Sequence, residues 1–155
     1  MNITLVPKQT ESAIRSIRGY GCYYFCLVSM VANKFNHAFT VNELENIFNT
    51  AVKQNIILDN TAPTNGSAGP WFRCFVAKPV ALIKLIAASI GKEVNPVEVC
   101  RVKASQAFDQ AMFYIYEYAT KYGSHFLSGD NTGNMYNPDP SIGLKSLKTI
   151  RSWNL

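Results

Sequence analysis

The chain has 155 residues, 48% hydrophobic and 16% charged, with a formal net charge of +5. This balance excludes a disordered chain and predicts a single domain over residues 1–155. The sequence starts without a secretory signal pattern, and the longest apolar run, within residues 76–90, is interrupted by Lys78, Pro79 and Lys84. We therefore expect a cytoplasmic protein without a membrane span.

The basic residues are scattered along the chain and form no dense run. Such scattering favours a solvated basic face over a nucleic-acid-binding arm, although weak attraction to a polyanion stays open. The four cysteines, at positions 22, 26, 74 and 100, include no CxxC pair, which argues against a standard zinc ribbon or finger. In a reducing compartment they are expected to be free thiols.

Helical patterns dominate the first half of the chain. A short extended segment over residues 2–6 is expected to end at Pro7, and residues 12–18 predict one or two helical turns. Residues 22–33 follow as a helix whose apolar positions run almost all the way round. That helix should be buried rather than amphipathic.

A capping box marks the start of the next helix. Thr40 is followed three positions later by Glu43 and then by apolar residues at helical spacing, which predicts a helix that ends near Gln54. Residues 60–70 are rich in Asn, Thr, Gly and Pro, and we expect a surface loop there rather than a domain boundary.

A third helix is expected over residues 80–89. Pro79 suits its first turn, and Gly91 suits its end. Beyond it, part of the Val-rich segment 94–102 is interpreted as a strand, and residues 105–110 as a short helix.

The remaining segments are typical of antiparallel strands. Residues 112–120 are aromatic and β-branched, and residues 124–128 and 134–137 flank a hairpin turn at residues 129–133. A basic tail is expected to close at Trp153. Helices followed by an antiparallel sheet predict an α+β fold.

Two glycines precede a cysteine at the start of the buried helix. Gly19 and Gly21 loosen the backbone, and Cys22 then falls on the first helical turn. Unpaired N–H groups and the positive end of the helix dipole favour thiolate over thiol at such a position. Cys22 is therefore the candidate nucleophile, although a lone cysteine is more often a small buried hydrophobe.

A histidine late in the chain is the candidate base. His125 begins one strand of the predicted hairpin, and Asn137 and Asp139 lie just beyond the returning strand. A hairpin brings these positions together, so either side chain could fix the imidazole tautomer. The other ring nitrogen would then be free to accept a proton from Cys22.

The order of cysteine, histidine and Asx-Pro resembles the papain-like cysteine peptidases, and most closely the branch that includes the bacteriocin leader-processing peptidases. That branch typically reads Cys-Gly-Pro-(small)-(small or Cys)-Leu-Ala-Met at the nucleophile, and this chain reads Cys22-Tyr-Tyr-Phe-Cys26-Leu-Val-Ser-Met30. The second block reads Gly-His, an apolar run, a turn, a strand and Asp-Pro-x-x-Gly, often closing with Trp. The matching residues here are Ser124-His125, residues 136–143 and Trp153.

The resemblance implies a papain-like fold in which a central helix carrying Cys22 packs with other N-terminal helices on the C-terminal sheet. It implies a hydrolase that cleaves a peptide, isopeptide or amide bond of a peptide or protein substrate, without a cofactor. Cys22 would be the nucleophile, His125 the base, and Asp139 or Asn137 its orienting partner. Gln9, which follows Val6-Pro7 as in the family, would donate to the oxyanion together with the Cys22 N–H.

Other interpretations remain open. The bulky Tyr23-Tyr24 in place of Gly-Pro would narrow a cleft, which suggests an inactive binding module of the same fold. Cys26, one turn below Cys22, is expected to be a core residue, with a minor role as nucleophile or resolving thiol as the alternative. Cys74 and Cys100 are also expected in the core. Cys22, Cys26, His125 and Asp139 could instead ligate a metal. The net charge keeps a nucleic-acid-binding protein as a third hypothesis.

Overall fold

The computed structural model of the chain describes residues 1–61, 73–103 and 110–155. Helices occupy the N-terminal half and an antiparallel sheet the C-terminal part, which confirms the α+β class. The helices are α1 (Arg15–Tyr20), α2 (Cys22–Phe35), α3 (Val41–Lys53) and α4 (Pro79–Ser89). The loop predicted over residues 60–70 and the helix predicted over residues 105–110 fall largely outside the described residues.

Helix α2 lies at the centre of the molecule and packs against both α4 and the fifth strand of the chain. It begins at Cys22, as predicted, and ends at Phe35 because Asn36 adopts a left-handed conformation with φ of 51°. Its interior is buried on every face, and each large apolar side chain there stabilises the fold by about 1.5–3 kcal/mol. The fully or almost fully buried residues are Tyr24, Phe25, Cys26, Leu27, Val28, Met30, Val31 and Ala32.

The junction between α1 and α2 requires glycine at one of its two glycine positions. A Cβ atom at Gly21 would lie 2.6 Å from the carbonyl oxygen of Ile17, whereas a Cβ atom at Gly19 would meet nothing within 4 Å. Gly21 caps both helices, and its N–H donates to Ile17 O at 2.7 Å. This close approach allows α1 to turn directly into α2 and places Cys22 at the bend.

Helix α3 has the capping box that the sequence predicts. The Thr40 hydroxyl accepts the Glu43 N–H at 3.3 Å, and the Glu43 carboxylate accepts the Thr40 N–H at 2.7 Å. The helix ends at Lys53, with Gln54 as its C-cap. One face is buried in the core and contains the predicted apolar positions Leu44, Ile47, Phe48, Ala51 and Val52.

The principal sheet has five antiparallel strands in the order β3-β7-β4-β5-β6, and a separate pair joins β1 and β2. The strands are β1 (Ile57–Leu58), β2 (Phe75–Val76), β3 (Val97–Lys103), β4 (Phe113–Thr120), β5 (Gly123–Asp130), β6 (Met135–Tyr136) and β7 (Leu147–Asn154). Strand β5 lies between β4 and β6, and Ser128 on it is paired with Tyr136 on β6. This pairing brings the chain after β6 back towards the start of β5.

Two sequence expectations are wrong. The expected basic tail is strand β7, which pairs with β3 on one side and with β4 on the other. Ile150, Ser152 and Trp153 are buried in it, but the basic side chains of Lys148 and Arg151 hide the strand in the sequence. The initial segment is not simply extended, since Ile3–Leu5 form a short 3₁₀ helix capped by the side chain of Asn2.

Among the described residues, the structure contains no helix that is both long and apolar enough to cross a membrane.

Candidate active site

A cleft of about 500 Å³ contains three of the residues that the sequence singles out. Cys22 lines it from the first residue of α2, and His125 lines it from β5. Gln9 lines it from a short 3₁₀ helix near the start of the chain. The structure therefore brings an early thiol and a late imidazole to one surface, although they are far apart in sequence.

Cys22 is buried, with 8% of its surface exposed. Burial raises the pKa of its thiol, and nearby Asp139 adds to this effect. The backbone N–H groups of Phe126, Tyr23 and Cys22 itself act in the opposite direction, because they stabilise the thiolate. Desolvation outweighs these donors, so the pKa of Cys22 is raised, and the expectation of a depressed pKa at the helix N-terminus is wrong.

The imidazole of His125 is fixed by Asn137. His125 is 1% exposed, and its Nε2 lies 2.8 Å from Asn137 Oδ1. This amide oxygen also accepts the Asp139 N–H at 3.1 Å, which defines which atom of the Asn137 amide is the oxygen. Because an oxygen can only accept, Nε2 must carry the proton and donate it to Asn137.

The other ring nitrogen of His125 is then a free acceptor. Nδ1 is buried and has no hydrogen-bond partner among the described residues. Phe126, the next residue along β5, directs its N–H at the Cys22 sulfur. His125 is thus the neighbour in sequence of the residue that contacts the Cys22 thiol. In this tautomer Nδ1 carries no proton, and its lone pair can accept one.

The hydrogen bonds of the Asp139 carboxylate do not involve the imidazole. The carboxylate instead accepts the Ser141 N–H at 3.0 Å and the Ser141 hydroxyl at 2.6 Å, so it shapes the turn after β6. Of the two candidates for orienting His125, the geometry selects Asn137. Asp139 contributes through its backbone N–H, which holds the Asn137 side chain in place.

Gln9 is buried beside the cleft and is hydrogen-bonded to residues from the N-terminal and the C-terminal parts of the chain. Its Nε2 donates to the Arg18 carbonyl at 3.2 Å, and its backbone N–H donates to the Pro138 carbonyl at 3.1 Å. Its Oε1 has no partner among the described residues. A side-chain amide has two N–H groups, so one can hold Arg18 while the other remains for a ligand in the cleft.

The two tyrosines after Cys22 point to different places. Tyr24 is fully buried in the core, and its hydroxyl donates to the Leu44 carbonyl at 2.8 Å. Tyr23 lines the cleft and packs against Phe126, with ring centroids 5.0 Å apart and ring planes tilted by 49°. Its hydroxyl accepts a hydrogen bond from Arg151 at 2.9 Å. Of the two tyrosines, only Tyr23 therefore narrows the cleft, and its ring forms one wall of the cleft without filling it.

The other cysteines separate into distinct environments. Cys26 is completely buried, and burial raises the pKa of its thiol well above the usual range. Cys74 belongs to the buried core, as predicted, and also lines the cleft. Cys100 is only half-buried on β3, where its sulfur contacts the Ser152 hydroxyl at 2.9 Å, so its assignment to the core is wrong.

The four-ligand metal site considered from the sequence does not form. Within residues 1–61, 73–103 and 110–155, no group of three or more His, Cys, Asp or Glu side chains could hold a metal ion.

Sequence reasoning missed Arg151 and Arg101 as cleft residues. They lie directly opposite each other on β7 and β3. The available signal was the pair of apolar residues Ile150 and Trp153, but the neighbouring Lys and Arg residues favour a basic tail. Identifying β7 as a strand would have placed Arg151 on a sheet face two residues before the buried Trp153.

Comparisons of the chain with protein-family models, curated proteins and solved structures found no significant match.

Proposed function

We propose that the protein is a cysteine hydrolase of papain-like fold that cleaves a peptide, isopeptide or amide bond. The single observation that carries the proposal is the common cleft of Cys22 and His125, with the remote nitrogen of His125 held by Asn137. A thiol, a base and a group that orients the base are the three parts that nucleophilic catalysis needs.

The raised pKa of Cys22 decides how the first step proceeds. Because burial raises the pKa of the Cys22 thiol, His125 Nδ1 removes its proton as the sulfur attacks the substrate carbonyl. A C–S bond forms, and the negative charge on the carbonyl oxygen is stabilised by the Cys22 N–H and the free N–H of Gln9.

The remaining steps restore the site. The C–N bond breaks as the imidazolium of His125 donates its proton to the leaving amine, which leaves a thioester at Cys22. His125 then removes a proton from water, the hydroxide attacks the thioester, and the acid is released as the thiol regains its proton. Asn137 keeps the Nε2–H tautomer throughout, so Nδ1 keeps its lone pair for the proton.

The experiment uses p-nitrophenyl acetate, an activated ester that needs no specific recognition. We expect release of p-nitrophenolate and an acetyl thioester at Cys22 detected by intact-mass and peptide mass spectrometry. C22A should abolish the adduct, and H125A should slow acylation at neutral pH by about 10²-fold or more. The matched control C100S removes a cysteine outside the cleft and should leave the rate unchanged; acylation at Cys100 or equal rates in H125A would refute the proposal.

An inactive binding module of the same fold is the second candidate, favoured by the burial of Cys22 and the raised pKa of its thiol. It predicts no acylation by the ester and full biological effect in C22A. Loss of effect in a folded C22A variant would eliminate it.

A further inference from the structure

All five arginines of the chain line one continuous surface around the candidate site. Arg101 and Arg151 line the cleft that contains Cys22, and Arg73 lines both that cleft and an adjoining groove. Arg15 and Arg18, on α1, line the groove. Among the described residues, none of the ten lysines lines the cleft or the groove. The basic residues are scattered in the sequence, but in the fold the arginines lie around the candidate site and the lysines lie elsewhere.

Two of these arginines face each other across neighbouring strands, which reduces the stability of the sheet. Arg101 and Arg151 are directly opposite across β3 and β7, and like charges in this position destabilise a sheet. Arg101 has Glu98 as its ion-pair partner, with N and O atoms 3.3 Å apart. The guanidinium of Arg151 donates to the Tyr23 hydroxyl and lies over the Tyr23 ring, and its buried Nε has no hydrogen-bond partner among the described residues.

The remaining arginines also lack carboxylate partners within the described part of the chain. The guanidinium of Arg73 lies 5.7 Å from the ring centre of Tyr20, and Arg18 contacts the Ser12 carbonyl at 3.5 Å. No Asp or Glu among the described residues lines the cleft or the groove. This surface is therefore positive apart from Glu98, which pairs with Arg101, and Asp139, which lies close enough to act on Cys22. Its donors are the forked guanidinium groups that match carboxylates.

We propose that the cleft selects peptide segments that carry Asp or Glu side chains beside the bond to be cleaved. The inference rests on the proposed function and names the substrate class of the same site. Three of the arginines, Arg73, Arg101 and Arg151, line the cleft that contains Cys22. The chemistry of Cys22 requires an acyl carbon, and a nucleic acid offers none. Apolar residues such as Phe75, Val76 and Pro79 complete the lining and suit the uncharged part of a peptide.

The first test compares two alkylating reagents of nearly the same size at Cys22. Iodoacetate is an anion and iodoacetamide is neutral, so the ratio of their rates, divided by the same ratio for N-acetylcysteine, reports the local potential. We expect this normalised ratio to be about tenfold above one at low salt. It should approach one at 1 M salt, where the screening length is about 3 Å.

Matched variants identify the source of the preference. R101Q/R151Q should remove most of it, and R15Q/R18Q, which alters exposed side chains, gives a second measurement if the first variant does not fold. The control K53Q/K92Q removes the same charge from exposed positions outside the cleft and should retain the preference. A ratio near one, or a ratio that arginine replacement leaves unchanged, would overturn the proposal.

The second test addresses the peptide. Two acyloxymethyl ketones that differ only in Glu or Gln at the residue next to the reactive ketone should label Cys22 at rates that differ about tenfold in favour of Glu. Protection of Cys22 by a single-stranded oligonucleotide, with equal rates for the two peptides, would show that the cleft takes nucleic acid and would reject the proposal. Failure of p-nitrophenyl acetate to acylate Cys22 would reject the proposed hydrolase, but the ratio of alkylation rates could still be measured.

Discussion

Replacing Asn137 with alanine should release the His125 imidazole. The substitution leaves the buried Nε2–H of His125 without its acceptor at 2.8 Å, and it removes the acceptor of the Asp139 N–H at 3.1 Å. A stranded buried donor costs about 1–3 kcal/mol and a lost neutral hydrogen bond about 1 kcal/mol, so we expect the free energy of unfolding to fall by about 2–4 kcal/mol. Urea denaturation measures this loss.

The tautomer of His125 gives the sharper readout. Nitrogen NMR of the imidazole should show a proton on Nε2 in the natural protein and a mixture of tautomers in N137A. The acylation rate with p-nitrophenyl acetate should fall at least about tenfold, which corresponds to 1.4 kcal/mol of lost orientation. N137D retains an acceptor at the same place and should restore the Nε2–H tautomer and most of the rate.

Asp139 provides the matched control. Its carboxylate accepts only from Ser141 in the described structure, so D139N should cost about 1 kcal/mol of stability and leave the His125 tautomer unchanged. The reasoning would be refuted if D139N shifted the tautomer and N137A did not.

Three further predictions concern stability. G21A should lower the free energy of unfolding by about 1–3 kcal/mol, because the new Cβ meets the Ile17 carbonyl oxygen, whereas G19A in α1 should be neutral or stabilising by up to about 1 kcal/mol; chemical denaturation of both variants checks this, and equal losses would contradict it. T40A should cost about 1 kcal/mol by the same assay, since it removes the α3 N-cap, and no loss would argue against the capping box. Above the ordinary cysteine pKa of 9.0, stability under reducing conditions should fall as pH rises, because burial raises the pKa of several thiols and phenols and the unfolded chain releases their protons first. A urea midpoint that stays constant from pH 8 to pH 10 would contradict this linkage; the groups concerned include Cys22, Cys26, Cys74, Tyr24 and Tyr136.

Local signals in the sequence determined the helices and the strands of one hairpin. The Thr40 capping box, Pro79 at a first turn and the continuous apolar run after Cys22 each act within a few residues, so the positions of α2, α3 and α4 follow from them. The same locality explains why Asn137 could be expected near His125, since one hairpin connects them.

Three features depended on the tertiary structure. Strand β7 gains its place only by pairing with β3 and β4, and without these partners its Lys and Arg residues are typical of a solvated tail. The choice of Asn137 over Asp139 depends on the rotation of a turn, which spacing does not define. The pKa of Cys22 depends on how completely the sheet covers the helix N-terminus, because desolvation is a property of the packed environment and not of the residue or its position in a helix.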